Sequence, residues 1–111
     1  MKKVLKLNKP VQVDGQEYKE LPYDFDLLTA ADIHETSRYL KGKGIPVSLN
    51  PAVDVDFQMG LFAKAVKAAG LDFHYADALR LSAMDGMVAA TMTQLFFIGE
   101  GGAEPSDSSG Q

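Results

Sequence analysis

The sequence predicts an α+β domain: a small N-terminal antiparallel β-hairpin followed by about three main α-helices. Three observations carry that expectation. Period-two alternation flanks an Asp14-Gly15 pair. Two later stretches repeat apolar residues at three- and four-residue spacing. Two hydroxyl-x-x-Asp patterns, Thr29 to Asp32 and Ser82 to Asp85, mark helix starts.

Val4, Leu5 and Leu7 open the first strand, and Pro10 interrupts it because proline has no N–H for a ladder. Val11-Gln12-Val13 and Gln16 to Leu21 then alternate around Asp14-Gly15, which suits the positive φ angles of a type I′ turn. Pairing across that turn gathers Val11, Val13 and Tyr18, with the register open to a one-residue slip. Tyr23 and Phe25 continue the alternation and give three strands if they extend the sheet. A first helix follows the Thr29 cap from about Ala30 to Leu40 and ends at Gly42 or Gly44. Its apolar stripe is modest: Ala30, Ile33, Ser37 and Leu40.

Two Gly and two Pro make residues 41–51 a loop. A second helix spans about Ala52 to Ala69 and stops at Gly70. Phe57, Leu61, Ala65 and Ala69 recur every four residues, with Phe62 and Val66 beside them and Lys64 and Lys67 opposite. A short helical turn is expected from Tyr75 to Leu79. The third main helix runs from the Ser82 cap to about Ile98. Met84, Met87, Val88, Thr91, Met92, Leu95 and Phe96 form its broad apolar face, expected to pack on the second helix and the hairpin. Residues 1–98 thus read as one domain. Residues 99–111, with four Gly, three Ser and three acids, read as a disordered acidic tail.

Composition narrows the function classes. The chain has 111 residues, 46% of them hydrophobic, and a formal net charge of −4. Glu100, Glu104 and Asp107 contribute −3 of that charge, so the domain itself is nearly neutral. With no basic excess, nucleic acid is not an expected partner. The absence of Cys removes disulfides, thiolate metal sites and cysteine nucleophiles. Lys6 cuts short any apolar signal region, and no apolar run approaches the roughly 20 residues of a spanning helix. A soluble cytoplasmic protein without membrane association is expected.

The motifs that carry chemistry are missing. His34 and His74 each lack a second ligand at metal spacing. Asp54 and Asp56 lack the further oxygens of a calcium loop and read as favourable charge near a helix start. Gly42-Lys43-Gly44 lacks the Gly-Lys-Ser/Thr ending of a phosphate loop, and Arg38, Lys41 and Lys43 read as a solvated helix end. No catalytic, metal or cofactor-binding residue emerges, so an enzyme is not expected. Apolar helix surface remains. The Met residues of the last helix suit an adaptable binding face. Met87 and Leu95 are assigned to the core, whereas Phe97 and Ile98 stand equally between core and partner contact.

Val4-x-x-Leu7-Asn8-Lys9-Pro10-Val11-x-Val13-Asp14-Gly15-x-x-Tyr18-x-x-Leu21 resembles the opening of Mu-like bacteriophage tail assembly chaperones. Leu28-Thr29-Ala30-Ala31-Asp32 is similar to their Leu-Thr-x-x-Asp helix start. Leu79-x-Leu81-Ser82-Ala83-x-Asp85, followed by Phe96-Phe97, is similar to their last helix and its terminal aromatic. The resemblance covers residues 4–98, without a counterpart for Tyr39 to Val55. It implies a protein that coats the helical tape measure protein, keeps it soluble during tail tube assembly, and is absent from the mature virion. It also implies self-association, a longer frameshifted form of the chain as a further partner, and residence in the bacterial host cytoplasm. The client-binding residues expected on this basis are Phe57, Leu61, Phe62, Met84, Met92, Phe96, Phe97 and Ile98. The alternative reading is a small structural tail component, a tube or adaptor subunit.

Overall fold

The computed structural model describes residues 1–48, 50 and 53–99. Two antiparallel strands, β1 (Lys3–Val13) and β2 (Gln16–Tyr23), precede four helices: α1 (Ala30–Gly42), α2 (Val55–Ala68), α3 (Tyr75–Ala78) and α4 (Ala83–Phe97). The α+β expectation is met, with a two-stranded sheet among the described residues. Tyr23 ends β2, whereas Phe25 turns away from the sheet into a 3-10 turn, Phe25–Leu27, and buries its ring. The tail from 100 to 111 lies outside the described residues.

Asp14 and Gly15 both have positive φ, 52° and 78°, and their neighbours Val13 and Gln16 pair directly. That geometry fixes the register, with Val11 opposite Tyr18 and Leu5 opposite Leu21. Pro10 does not end β1. Lys6 pairs with Glu20 and Val11 with Tyr18, so Leu7 to Pro10 bulge opposite Lys19 alone. A bulge is where a strand tolerates a residue with no N–H to donate. The same bulge frees the Asn8 and Lys9 amides for another partner.

Helix α2 is the centre of the fold. It packs against α1, α3, α4 and β2, and it buries Phe57 through Ala63 without a break. Its expected start at Ala52 gives way to Val55, because Asp54 is the N-cap and its carboxylate accepts the Phe57 amide at 3.1 Å. Ala52 itself lies outside the described residues. Phe62 meets Phe73 edge-on at 6.3 Å and Tyr23 at 6.2 Å, while Val11, Val13, Leu21, Val66 and Ala89 close the same core. The Asp24 amide donates to the Ala65 carbonyl at 3.0 Å, which ties the end of the hairpin to α2.

Helix α1 begins as its sequence demands. Thr29 accepts the Asp32 amide and the Asp32 carboxylate accepts the Thr29 amide at 2.8 Å, a complete capping box. Its buried residues are Thr36, Ser37 and Leu40, so the stripe is shorter and more polar than Ala30 to Leu40 suggested. Burying Thr36 costs little because its hydroxyl donates to the Asp32 carbonyl at 2.8 Å. A Cβ on Gly60 would stand 2.5 Å from the Thr36 Cγ2, so this glycine permits the close approach of α1 to α2. No helix among the described residues is long and apolar enough to cross a membrane.

Candidate functional site

Helix α4 is turned about its axis opposite to expectation. Its inward side carries Asp85, Ala89, Ala90 and Thr93. Its large apolar side chains point outward, with Met84 64%, Met87 71% and Ile98 56% exposed, and Val88 and Leu95 exposed as well. Met87 and Leu95, assigned to the core from their spacing, are therefore on the surface.

Three contacts account for the rotation. The Asp85 carboxylate accepts the Asn8 amide at 2.8 Å, the Lys9 amide at 3.1 Å and the Ser82 hydroxyl at 2.8 Å. Burial pushes this carboxyl up, but the donors prevail and hold it below the ordinary carboxylate range. In the middle, Ala89 and Ala90 let α4 lie close to α2, and the buried Thr93 hydroxyl donates to the Ala89 carbonyl at 2.9 Å. Near the C-terminus, the Phe96 ring stacks on Phe25 at 5.2 Å. Small and internally satisfied residues thus face the core, and bulk is left facing solvent.

A groove of about 480 Å³ runs beside this face between α2, α3 and α4. Val55, Met59, Leu79, Gly86, Met87 and Ala90 are among its lining residues, and a Cβ on Gly86 would come 3.8 Å from the Met59 Cε. Val55 and Leu79 are themselves exposed at its rim. The only charged side chain on α4 is Asp85, which is buried. The outward surface is consequently uncharged along the whole helix and largely apolar, with the exposed Thr91 among its large apolar side chains. Such a surface offers van der Waals contact to apolar side chains and carries no charge to pair with.

A second cavity, about 430 Å³, lies between α1, α2 and the segment leading into α3. Tyr39 and Tyr75 meet edge-on there at 5.8 Å, and Lys64 pairs with Glu35 at 2.7 Å. The Tyr75 hydroxyl donates to Asp56 at 3.0 Å; desolvation and that carboxylate push the phenol up to about 12. His74 contacts Asp72 at 2.9 Å, and no cluster of three or more His, Asp or Glu gathers among the described residues.

The eight expected partner residues separate. Phe57, Leu61 and Phe62 are 0% exposed, because they lie in the run of α2 that α1, α3, α4 and β2 cover, and no partner can reach them in this fold. Met92, Phe96 and Phe97 are half-buried; Phe97 meets Phe96 edge-on at 5.0 Å. Met84 and Ile98 are the two that stand on the outward face. Reasoning from sequence missed Met87, Val88 and Leu95 there, along with Val55 and Leu79 across the groove. The available signal was the absence of charge after Asp85, which makes α4 apolar on both sides. No family model matches the chain, and no curated protein or solved structure gives a match either.

Proposed function

We propose that this chain is a phage tail assembly chaperone that binds the helical tape measure protein and keeps it soluble while the tail tube assembles. The observation behind this reading is the uncharged apolar outward face of α4 with the groove beside it. The resemblance of residues 4–98 to Mu-like tail assembly chaperones names the client; the face supplies a physical means of holding it.

An amphipathic client helix would lie along α4 with its apolar stripe against Met84, Met87 and Leu95 and one large side chain in the groove. Burying each such side chain contributes about 1.5–3 kcal/mol before ordering costs, so one copy binds weakly. Many copies that associate with one another along one long client gain by avidity, because their binding is then linked. An interface without charge discriminates little between apolar sequences, which suits a client hundreds of side chains long. This role calls for no catalysis, cofactor, nucleic acid or membrane. It places the protein in the host cytoplasm and outside the finished virion, with a longer frameshifted product sharing the same domain.

Co-expression with the tape measure protein of the same phage tests the proposal. The client should partition into the soluble fraction with the natural chain and precipitate with Met87→Glu, while that variant keeps its circular dichroism spectrum. A client that stays insoluble with the natural chain overturns the proposal. So does recovery of this chain in stoichiometric amounts from purified virions, which would favour a tube or adaptor subunit.

A further inference from the structure

We infer that the cavity between α1, α2 and the segment leading into α3 is a binding site for a small aromatic carboxylate, one ring system bearing one carboxyl group. The cavity measures about 430 Å³, the size of a small-molecule site, and shares no lining residue with the groove beside α4. The site is therefore separate from the face proposed for the client. Its α2 wall is nearly bare of side chains. Gly60 has none, held so by the Thr36 Cγ2, which stands 2.5 Å from where a Cβ would be, and Ala63 adds a single methyl group. The buried Phe73 lines the same space from the segment before α3.

The remaining walls are aromatic and already in place. The Tyr75 hydroxyl donates to Asp56 at 3.0 Å, and Tyr39 meets the Tyr75 ring edge-on at 5.8 Å. The Lys43 ammonium sits 5.7 Å from the centre of the Tyr39 ring. Both rings are thus held by contacts before a ligand enters, which lowers the cost of ordering them on binding. Tyr39 is 43% exposed, so its ring still has surface to bury. Rings gain from edge-on or offset contact with other rings, so Tyr39, Phe73 and Tyr75 around one space favour an aromatic occupant over an aliphatic one of equal size. The Thr36 and Tyr75 hydroxyls already donate, to the Asp32 carbonyl at 2.8 Å and to Asp56. A sugar or nucleobase, rich in acceptors, finds no hydroxyl hydrogen from either.

Charge selects the carboxylate. Lys64 and Lys67 stand on the cavity from successive turns of α2, against the one carboxylate that lines it, Glu35. Lys64 is taken by Glu35 at 2.7 Å, and His74 contacts Asp72 at 2.9 Å. Lys67 has no ion-pair partner among the described residues. Its ammonium is left for an anion in the cavity, and it disfavours an amine there. Residues 100–111 carry carboxylates but no aromatic side chain, so they match the lysine and leave the ring site unfilled.

Titration of the full chain with phenylpropionate, followed by backbone amide chemical shifts, tests the site. Saturable shifts should gather at Gly60, Ala63, Lys67 and Tyr75, with a dissociation constant on the order of 1 mM or below. The neutral phenylpropionamide should bind about threefold more weakly. Lys67→Gln should bring the acid down to the level of the amide, leave the affinity for the amide unchanged, and keep the melting temperature, because Lys67 is exposed. Tyr39→Ala should weaken acid and amide alike. Cyclohexylpropionate, with the same charge and no aromatic ring, should bind more weakly than phenylpropionate. Absence of saturable shifts up to about 10 mM overturns the site, as do shifts confined to Met59, Gly86 and Met87 in the other groove. Equal affinity for acid and amide in the natural chain overturns the selection by Lys67, and equal affinity for the cyclohexyl acid overturns the aromatic class.

Discussion

Asp85 binds three donors with one carboxylate, and two of them, the Asn8 and Lys9 amides, belong to a strand 77 and 76 residues away in sequence. Those amides are free because β1 bulges before Pro10. The carboxylate is therefore the fastening between the hairpin and the first turn of α4, and its charge is what the amides recognise. Because its folded pKa lies below the unfolded value of about 4, its contribution is complete above that value and is lost as pH falls through the lower folded one. Asp85→Asn should lower the urea midpoint at neutral pH and shrink the loss of stability between about pH 5 and 2. Asp85→Ala, which also removes the acceptor, should cost about 1–3 kcal/mol. An acid limb identical in Asp85→Asn and the natural chain would show that the fastening does not depend on charge.

At the scale of whole elements, the legible parts were those specified by neighbours in sequence. The Asp14-Gly15 turn and the Thr29 capping box follow from local hydrogen bonding and φ preference, and both stand where the pattern put them. Ser82 caps α4 as expected by accepting the Asp85 amide at 3.1 Å, but the Asp85 carboxylate does not close a box on the Ser82 amide; it goes to β1. The facing of α4 was illegible for the same reason. Periodicity selects a face only when the other face is polar, and α4 has alanines where a charged side should be. Its rotation is decided by long-range contacts, Asp85 to β1 and Phe96 to Phe25, that no window of sequence contains. One consequence inverts the usual ranking by side-chain size. Met87→Ala removes a large apolar side chain and should change stability by less than about 0.5 kcal/mol. Ala89→Leu adds one and should destabilise by about 1–3 kcal/mol, because it forces α4 away from α2. Chemical denaturation of the two variants checks the rotation of α4 directly; equal costs would place Met87 in the core.

For the molecule as a whole, charge and apolar surface are distributed in opposite places. The domain to Gly99 carries 12 acids and 11 bases, a net of −1, and it bears the exposed face of α4. The remaining −3 lies in residues 100–111, beyond the described structure. Colloidal stability depends on net charge, whereas folding stability depends on the core, so the two should respond separately to loss of that segment. A chain ending at Gly99 should melt at the same temperature as the full chain, because Phe62, Phe73 and their neighbours are all retained. Its solubility near neutral pH should fall severalfold, since a nearly neutral body then meets other copies through α4 with little repulsion. Val88→Glu in the shortened chain should restore solubility, as it both adds charge and interrupts the apolar face of α4. Turbidity against concentration for the three proteins decides the matter. If the shortened chain is as soluble as the full one, the acidic segment does not offset the face of α4. If a single charge added on β2, as in Gln16→Glu, restores solubility equally well, net charge alone is responsible and the face of α4 is not the point of contact.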